Sequence, residues 1–427
     1  MKRVLYAFPT EWDRRQLEAC RSDWQDDYKV LFAEPSDHEC PADLDPAAWL
    51  DDAEGRWRGR VDGVTSSSDY PGATLAAALA ERLGLPGPAP RAVLRASHKY
   101  YSRLSQQASV PEATPRFDLV DLARRPLADP STGYPCFIKP IKGAFSVMSG
   151  KIRSRAELEA FVDRPAAIEF VHDYVALFNR LLADLTDFDV DGSRFLAEEL
   201  LHGRQVTVEG WVRHGEVRIL GVVDSILHPR VPSFARFDYP SVRRPEVQEE
   251  MCDIARRAVL GLGLDQTLFN VEMIYEPVAD RIHIIEINPR ICGQFADLYR
   301  KVDGMSGYAV SLALAVGESP AAAEGGRYRM ASSFPLRTFE PVRVTRAPTP
   351  ADVSAVEREH PQTLVWVECE EGVDLSDFEA EDGWSSRYAV VNLGAQSRRE
   401  LRTRVDAVVE RLGFHLEPLH ADTSTRG

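Results

Sequence analysis

The chain has 427 residues, 44% of them hydrophobic and 27% charged, with 51 basic against 66 acidic residues and a formal net charge of −15. That length allows two to four domains with real cores, at roughly 100–200 residues each. So acidic a balance disfavours a nucleic-acid partner, because duplex binding rests on a basic footprint, and leaves room for a small anion where positive charge is concentrated locally.

In chain order, KRVLYAF (2–8) reads as a buried strand, followed by an acidic helix-like stretch and a second strand, YKVLFAE (28–34). VDGVTSSS (61–68) is a third strand, and TLAAALAERLGL (74–85) a helix. Strand–helix alternation with short links predicts a small parallel α/β domain. The Pro- and Gly-rich run GLPGPAPRA (84–92) marks its boundary.

A second unit begins near Ser97. It holds a strand YPCFIKP (134–140), a Gly/Ser loop KGAFSVMSGK (142–151) and a helix RSRAELEAFV (153–162). FLAEELL (195–201), QVTVEGWVRHG (205–215) and EVRILGVVDSI (216–226) are β-rich, with RHGE as a hairpin turn. LHPRVPSFARFDYPS (227–241) reads as a long connecting loop, of the kind that is often functional. PEVQEEMCDIARRAVLGLGL (245–264) has helical periodicity and closes on Gly. The strands TLFNVEMIYE (267–276) and RIHIIEINP (281–289) follow, then a helix SGYAVSLALAVGE (306–318). Past Gly325 the chain is again β-rich, with a Pro-punctuated link at RAPTPAD (346–352). SSRYAVVNLGA (385–395) is a strand, RRELRTRVDAVVERLGF (398–414) an amphipathic helix, and PLHADTSTRG a disordered tail. No internal repeat occurs.

Six cysteines (Cys20, Cys40, Cys136, Cys252, Cys292, Cys369) are scattered without a CxxC pair and read as reduced thiols. The apolar opening run breaks at Pro9, too short for a signal-peptide core. No run approaches the about 18 apolar residues of a membrane span. A cytoplasmic protein with neither membrane nor nucleic-acid partners is therefore expected.

The stretch HIIEINPR (283–290) carries the strongest chemical signal. Glu286 and Asn288, two apart on a strand, leave the same face. The preceding strand carries Glu272, and the midpoint of 272 and 286 falls at 279, inside the turn PVAD (277–280). An antiparallel hairpin therefore sets Glu272 directly opposite Glu286, where like charges repel. A divalent cation between them removes the conflict. Mg²⁺ suits a few protein oxygens completed by phosphate, and Asn288 adds a third oxygen. Arg290, just past the strand, is placed to hold a phosphate or an activated acyl group. The plain alternative is an edge hairpin with both carboxylates in solvent. Neither GxxxxGK[ST] nor GxGxxG after a strand is present. Lys139 at the end of CFIKP, leading into a loop with Lys142, Gly143, Ser146, Ser149 and Gly150, is the remaining phosphate-binding device.

Taken together these motifs resemble the ATP-grasp superfamily across nearly the whole chain. The resemblance rests on DGVTSSSDY…AAALAERLGLPG…SHKYYSR, CFIKPIKGAFSVMSGKI, AEELLHGRQVTVEGWV and NVEM…EINPR, in that order. It implies an α/β, ATP-grasp fold with an N-terminal Rossmann-like (pre-ATP-grasp) domain over 1–95. The ATP-grasp domain would cover 96–324 with a lid at about 130–200, followed by an α+β C-terminal domain over 325–417 and a disordered tail over 418–427. It implies ATP and Mg²⁺ as cofactors, with Mn²⁺ as a substitute.

Carried over residue by residue, Lys99 and Lys139 contact ATP phosphates, Lys139 also reaching the adenine, with Ser146 in the loop above. Glu198 binds the adenine amino group, Glu199 and Leu201 act through backbone groups, and Gln205 meets the ribose where many relatives have Glu. Glu272, Glu286 and Asn288 hold the metal, and Arg290 stabilises an acyl phosphate. The segment SSFPLRTF resembles the region that supplies a second arginine, here Arg337, whose alternative is a surface strand position. In the 227–241 loop Arg230 and Arg236 are candidates for a substrate carboxylate, and Asp224 before it for an amine.

The implied activity is a carboxylate–amine ligase joining amino acids into a dipeptide or γ-glutamyl amide, compatible with a homodimer. Cys292 would be a bystander, since no protein nucleophile is needed. Two alternatives stay open: a biotin-carboxylase-like enzyme that activates bicarbonate, and a nucleotide-binding regulatory protein without catalysis. The loop GAFSVMSG lacks the dense glycine run of carboxylases, and ICGQ stands where many amino-acid ligases have Gly-Gly.

Overall fold

The computed structural model of the protein describes residues 1–33, 44–121, 126–143, 148–378 and 381–419. The chain opens with β1 (Lys2–Ala7), α1 (Glu11–Ala19), β2 (Tyr28–Ala33), α2 (Pro46–Trp57), β3 (Gly63–Thr65) and α3 (Gly72–Leu83). β1 is the centre of a parallel sheet of order β2-β1-β3. The predicted third strand shortens to three residues, because Ser66 turns the chain: its hydroxyl donates to Ala7 O at 2.7 Å and accepts from Ser68 N–H. α2 is not among the predicted elements; Asp45 caps it and Pro46 starts it, signals hidden in a Pro- and acid-rich stretch.

Next come α4 (Pro90–Ser97), α5 (Lys99–Ser109) and a four-stranded sheet built from β4 (Phe117–Val120), β5 (Cys136–Pro140), β6 (Gly150–Ile152) and β7 (Phe195–Glu199), in the order β4-β7-β5-β6. Two helices, α6 (Arg155–Val162) and α7 (Pro165–Leu185), connect β6 to β7. The 21-residue α7 is also not among the predicted elements. Its Leu177, Phe178, Leu181 and Leu182 enter the core of the first unit, against Leu5, Leu50, Ala53 and Leu75. The four-stranded sheet is thereby tied through α7 to the N-terminal unit.

The main sheet comprises β8 (Arg204–Arg213), β9 (Glu216–Leu227), β10 (Phe234–Tyr239), β11 (Thr267–Glu276) and β12 (Arg281–Asn288), with α8 (Pro245–Gly261) inserted before β11. After β12 the chain forms α9 (Gly293–Asp303), α10 (Gly307–Ala315), β13 (Met330–Thr338), β14 (Val342–Arg346), α11 (Pro350–Glu359), β15 (Leu364–Val367), β16 (Asp374–Leu375), β17 (Ser386–Ala395), α12 (Arg398–Leu412) and β18 (His415–Pro418). The sheet order is β12-β11-β8-β9-β10-β13-β17-β15, so it runs without a break past residue 325 into the C-terminal strands. β16, β14 and β18 make a small separate sheet.

Alternation, interrupted by one irregularity in β12, positions this sheet. Val206, Val208, Val271, Met273, Tyr275, Ile284 and Ile287 bury one face against Met251, Ile254, Ala255 and Ala258 of α8. The other face is left for polar residues at one end and for α9 at the other.

Three sequence expectations are corrected here. The 227–241 segment is not a loop: FARFDY forms β10 and pairs with β9 and β13, its alternating aromatics supplying the core face. In the RAPTPAD link, Thr349 caps α11 and Pro350 begins it. Pro418, expected in the tail, pairs with Val342 in β18; the rest of that expectation, residues 420–427, lies outside the described residues. The RHGE hairpin does form, with His214 and Gly215 at φ of 52° and 74°, as a two-residue turn between twisted strands demands. Among the described residues no helix is long and apolar enough to cross a membrane.

Candidate nucleotide and metal site

Three successive rungs of the sheet build the site. Pairing sets Gln205, Ile274 and His283 across β8, β11 and β12, then Thr207, Glu272 and Glu286, then Glu209, Asn270 and Asn288. The two carboxylates face each other as the sequence predicts, and a bulge is the reason. From Glu276↔Arg281 to Met273↔Ile284 the register would bring Ile285 opposite Glu272. The ladder shifts between Glu272 and Met273, Ile285 is left without a partner, and Glu286 moves into line.

The bulge also frees a carbonyl. Ile285 O accepts from Arg103 Nη2 at 2.8 Å and from Lys139 Nζ at 3.3 Å. Both cations flank Glu198: Arg103 Nε lies 2.6 Å from its Oε1 and Lys139 Nζ 2.7 Å from its Oε2. Burial pushes the Glu198 carboxyl up, but Arg103 and Lys139 outweigh it and hold it below the usual carboxylate range. Burial depresses the Lys139 ammonium to about 8, against the opposing pull of Glu198.

Facing these is a second set of charges. Lys99 Nζ donates to Gly143 O at 2.9 Å and sits 3.2 Å from Glu286 Oε2. Lys142 Nζ is 2.7 Å from Asp69 Oδ2 and lies over the Tyr70 ring, and Arg290 Nε is 3.5 Å from Asp69 Oδ1. Burial raises the Asp69 carboxyl, but Lys142, Arg290 and Lys99 together keep it well below the usual range. Burial first, and Glu286 second, push Glu272 up to about 7. Gln205 Nε2 donates to Glu272 Oε2 at 2.9 Å.

The amide of Asn288 has its carbonyl oxygen 3.1 Å from Glu286 Oε1 and 3.3 Å from Asp69 Oδ1; turned about, its NH₂ would donate to both. Behind it Asn270 Nδ2 donates to Glu209 Oε1 at 2.9 Å, and Tyr299 Oη donates to Glu209 Oε2 at 2.7 Å. Among the described residues no three acidic, His or Cys side chains converge as a metal shell by themselves. The donor set is two opposed carboxylates and an amide, which leaves the rest of an octahedral shell to phosphate and water, as Mg²⁺ prefers.

The fold thus brings together Lys99, Lys139, Glu198, Gln205, Glu272, Glu286, Asn288 and Arg290. Glu199 stands at the end of β7, its N–H donating to Arg116 O and its carboxylate accepting from Arg116 N and Nε. Leu201 lies half-buried in the link from β7 to β8. That link passes close over β11, and any side chain at Gly203 would run into the Tyr275 carbonyl. Ser146 lies outside the described residues. Burial pushes the Cys292 thiol up to about 12, which disfavours the thiolate a nucleophile needs.

The expected substrate residues are not gathered here. Asp224 pairs across the sheet with Val206, on the α8 face, opposite to the rungs above. It accepts from Ser241 Oγ, Val242 N and Arg243 Nε at 2.7, 2.9 and 3.2 Å. Arg236 shares that face and is spent on Asp238 at 3.0 Å. Arg230 is exposed in the β9–β10 link. Arg337 donates to Asp382 Oδ2 and Ser385 Oγ, both at 2.9 Å, tying β13 to the approach to β17. Period-2 parity is the physical reason for the first two: one residue along a strand changes the face.

Sequence reasoning assigned no role to Asp69, Arg103, Asn270 and Glu209. Asn270 and Glu209 were findable, since Asn270 stands two residues from Glu272 and Glu209 four from Gln205, each on the same strand face as a named position. Asp69 and Arg103 lie 217 and 182 residues before Glu286 and Ile285; both fall inside motifs quoted for the resemblance, DGVTSSSDY and SHKYYSR, but no spacing there gives their contacts with the hairpin.

Residues 132–297 match a family model described as an ATP-grasp domain. No curated protein matches the sequence. Solved structures do match in fold. An L-amino acid ligase from Bacillus licheniformis is 16% identical with a TM-score of 0.73, covering 98% of this chain and 99% of its own. Phosphoribosylglycinamide synthetase from Anaerococcus prevotii is 14% identical with a TM-score of 0.65, covering 97% and 100%. Biotin carboxylase from Campylobacter jejuni is 14% identical with a TM-score of 0.66, covering 98% and 93%. With the glutamate hairpin, the lysine strand and the four-stranded sheet all in this arrangement, the chain has the ATP-grasp fold, and its residues 132–297 match the ATP-grasp domain.

Proposed function

We propose that the protein is an ATP- and Mg²⁺-dependent carboxylate–amine ligase that joins amino acids, with Mn²⁺ able to replace Mg²⁺. The observation that carries this reading is the bulge-aligned pair Glu272 and Glu286, faced by Lys99 and Lys139 and flanked by Asn288 and Arg290. In the reaction a substrate carboxylate oxygen attacks the γ-phosphorus of ATP and the bond to ADP breaks. An amine nitrogen then adds to the acyl phosphate, loses a proton, and expels inorganic phosphate to leave the amide.

Glu272, Glu286 and Asn288 would hold the magnesium ion, which neutralises charge on the transferring phosphoryl group. Lys99 and Lys139 orient the phosphates, and Arg290 stabilises the charge of the acyl phosphate. Glu198 fixes Lys139 against the bulge, a positioning role alongside the proposed contact of the hinge residues Glu198, Glu199 and Leu201 with adenine and of Gln205 with ribose. The lid excludes water that would otherwise hydrolyse the intermediate. The similarity in fold to the L-amino acid ligase supports the choice of amino acids.

Phosphate and ADP release across a matrix of amino-acid pairs, with mass spectrometry of products, tests the reading. Turnover that needs two partners and yields their summed mass less water is expected. Release stimulated by bicarbonate alone, or no release with any pair, sinks it.

Lys139 sets a pH limit. Its ammonium is charged below about 8 and neutral above, so it attracts ATP phosphates only on the acid side. kcat/KM for ATP should therefore fall as pH rises through about 8, approaching tenfold per pH unit. Lys139→Arg should flatten that limb, since guanidinium stays charged. A wild-type profile level to pH 10 contradicts the assignment.

A further inference from the structure

One carboxylate links the N-terminal unit to the site. The turn Ser66–Pro71 that carries it is held on both sides. Ser66 Oγ donates to Ala7 O at 2.7 Å, Ala73 N donates to Ser68 O at 2.8 Å, and Tyr70 Oη donates to Tyr174 O of α7 at 3.2 Å. A side chain at Gly72 would run into Ser66 Oγ and Ser68 Cβ, so α3 starts hard against the turn.

From this turn Asp69 meets three donors of the site. Its Oδ2 lies 2.7 Å from Lys142 Nζ and its Oδ1 3.5 Å from Arg290 Nε. With the Asn288 amide turned to its hydrogen-bonded orientation, the NH₂ donates to Asp69 Oδ1 at 3.3 Å and to Glu286 Oε1 at 3.1 Å. The Asn288 oxygen then takes the place 3.5 Å from Glu272 Oε1, facing another proposed metal ligand.

Each donor gains a fixed position from the contact. Arg290 lies beyond the end of β12, with a long side chain whose rotamers the strand ladder does not restrict. Asp69 takes its Nε edge, and among the described residues neither Nη donates a hydrogen bond, which leaves that edge for an anion. An amide has two orientations of nearly the same shape, and at Asn288 the Asp69 and Glu286 oxygens select one of them. Lys142 is 2% exposed, with its ammonium over the rings of Tyr70 and Phe178, and Asp69 balances its charge.

We propose that Asp69 is a positioning residue for phosphoryl transfer: from the N-terminal unit it fixes the Arg290 guanidinium and the Asn288 amide in advance of the reaction. It touches neither substrate nor metal and acts through these two side chains, while Lys142 holds its second oxygen. This rests on the ligase reading above. Donors held in place beforehand need no reorganisation at the moment of transfer.

Calorimetry on the full chain compares two probes: ADP without metal, and ADP with Mg²⁺ and fluoroaluminate, which stands in for the transferring phosphoryl group. Wild type should bind the second at least about tenfold more tightly. Asp69→Asn, nearly unchanged in shape, should weaken the fluoroaluminate complex by at least about tenfold, the usual cost of losing such a supporting contact. Its affinity for metal-free ADP should stay at the wild-type value, which also shows that the variant is folded. In Arg290→Met the guanidinium is gone, and adding Asp69→Asn should then cost clearly less than it does in wild type, because groups that act together are not additive. A loss below about tenfold in the fluoroaluminate complex, an equal loss with metal-free ADP, or the same loss in the Arg290→Met background each overturns the proposal. Wild type that gains nothing from Mg²⁺ and fluoroaluminate overturns the ligase reading instead, and so separates the two failures.

Discussion

Glu286→Gln is expected to lower turnover by about a thousandfold, a loss of some 4 kcal/mol of transition-state stabilisation, without lowering the stability of the metal-free fold. The two halves follow from one geometry. Glu286 stands directly opposite Glu272, and that repulsion, with burial, is what raises the Glu272 carboxyl to about 7. Like charges on paired strands cost a few tenths to about 1 kcal/mol, which the amide removes. The partner lost is Lys99 at 3.2 Å, in a pair whose side chains keep 10% and 28% exposure and which still opens to solvent on the Glu286 side, worth about 1 kcal/mol. The two terms nearly cancel, so unfolding without metal should differ from wild type by less than about 1 kcal/mol in either direction. With Mg²⁺ and ADP present, wild type should gain stability by linkage and the variant should not. A variant that keeps turnover, or one whose metal-free form melts far below wild type, shows that Glu286 is a structural residue instead.

The same hairpin shows what the sequence could and could not carry. Opposed glutamates, Asn288 and Arg290 are adjacent in the chain or joined by one short turn, so strand periodicity brings them together on paper. The midpoint at residue 279 is right only because of the bulge at Ile285; a regular hairpin centred on PVAD would have missed by one residue and turned Glu286 away. The error at Asp224 and Arg236 is the reverse case. Arg236 lay in an assumed loop that hid its parity, Asp224 lay on a predicted strand whose facing was not worked out, and both share the face that packs on α8. Contacts across long sequence separation, from Asp69 to Arg290 or from α7 to the N-terminal sheet, depend on packing of whole elements. No local spacing encodes them.

The bulge itself needs a support, and this gives the second large effect. Arg103→Met is expected to destabilise this part of the chain by about 3 kcal/mol, the cost of leaving a buried carboxylate with one of its two cations gone. Arg103 is 2% exposed and spends its guanidinium on Glu198, on Gln106 and on the Ile285 carbonyl. Methionine fills much of the space of the alkyl stem, so the loss is chiefly electrostatic. Glu198 would keep Lys139, but one of its oxygens and one lobe of the Ile285 carbonyl would be bare inside the protein. Adding Glu198→Gln should recover part of the loss, because the stranded charge is then gone, and Lys139, already depressed to about 8, can shed its proton. Denaturant unfolding of the single and double variants measures both steps. The single variant should also bind Mg²⁺ more weakly, since the carbonyl that pins Glu286 into register has lost its shorter hydrogen bond. If Arg103→Met unfolds like wild type, or if the double variant is less stable than the single one, then the bulge is held by the strands alone and the cation pair beneath it is incidental.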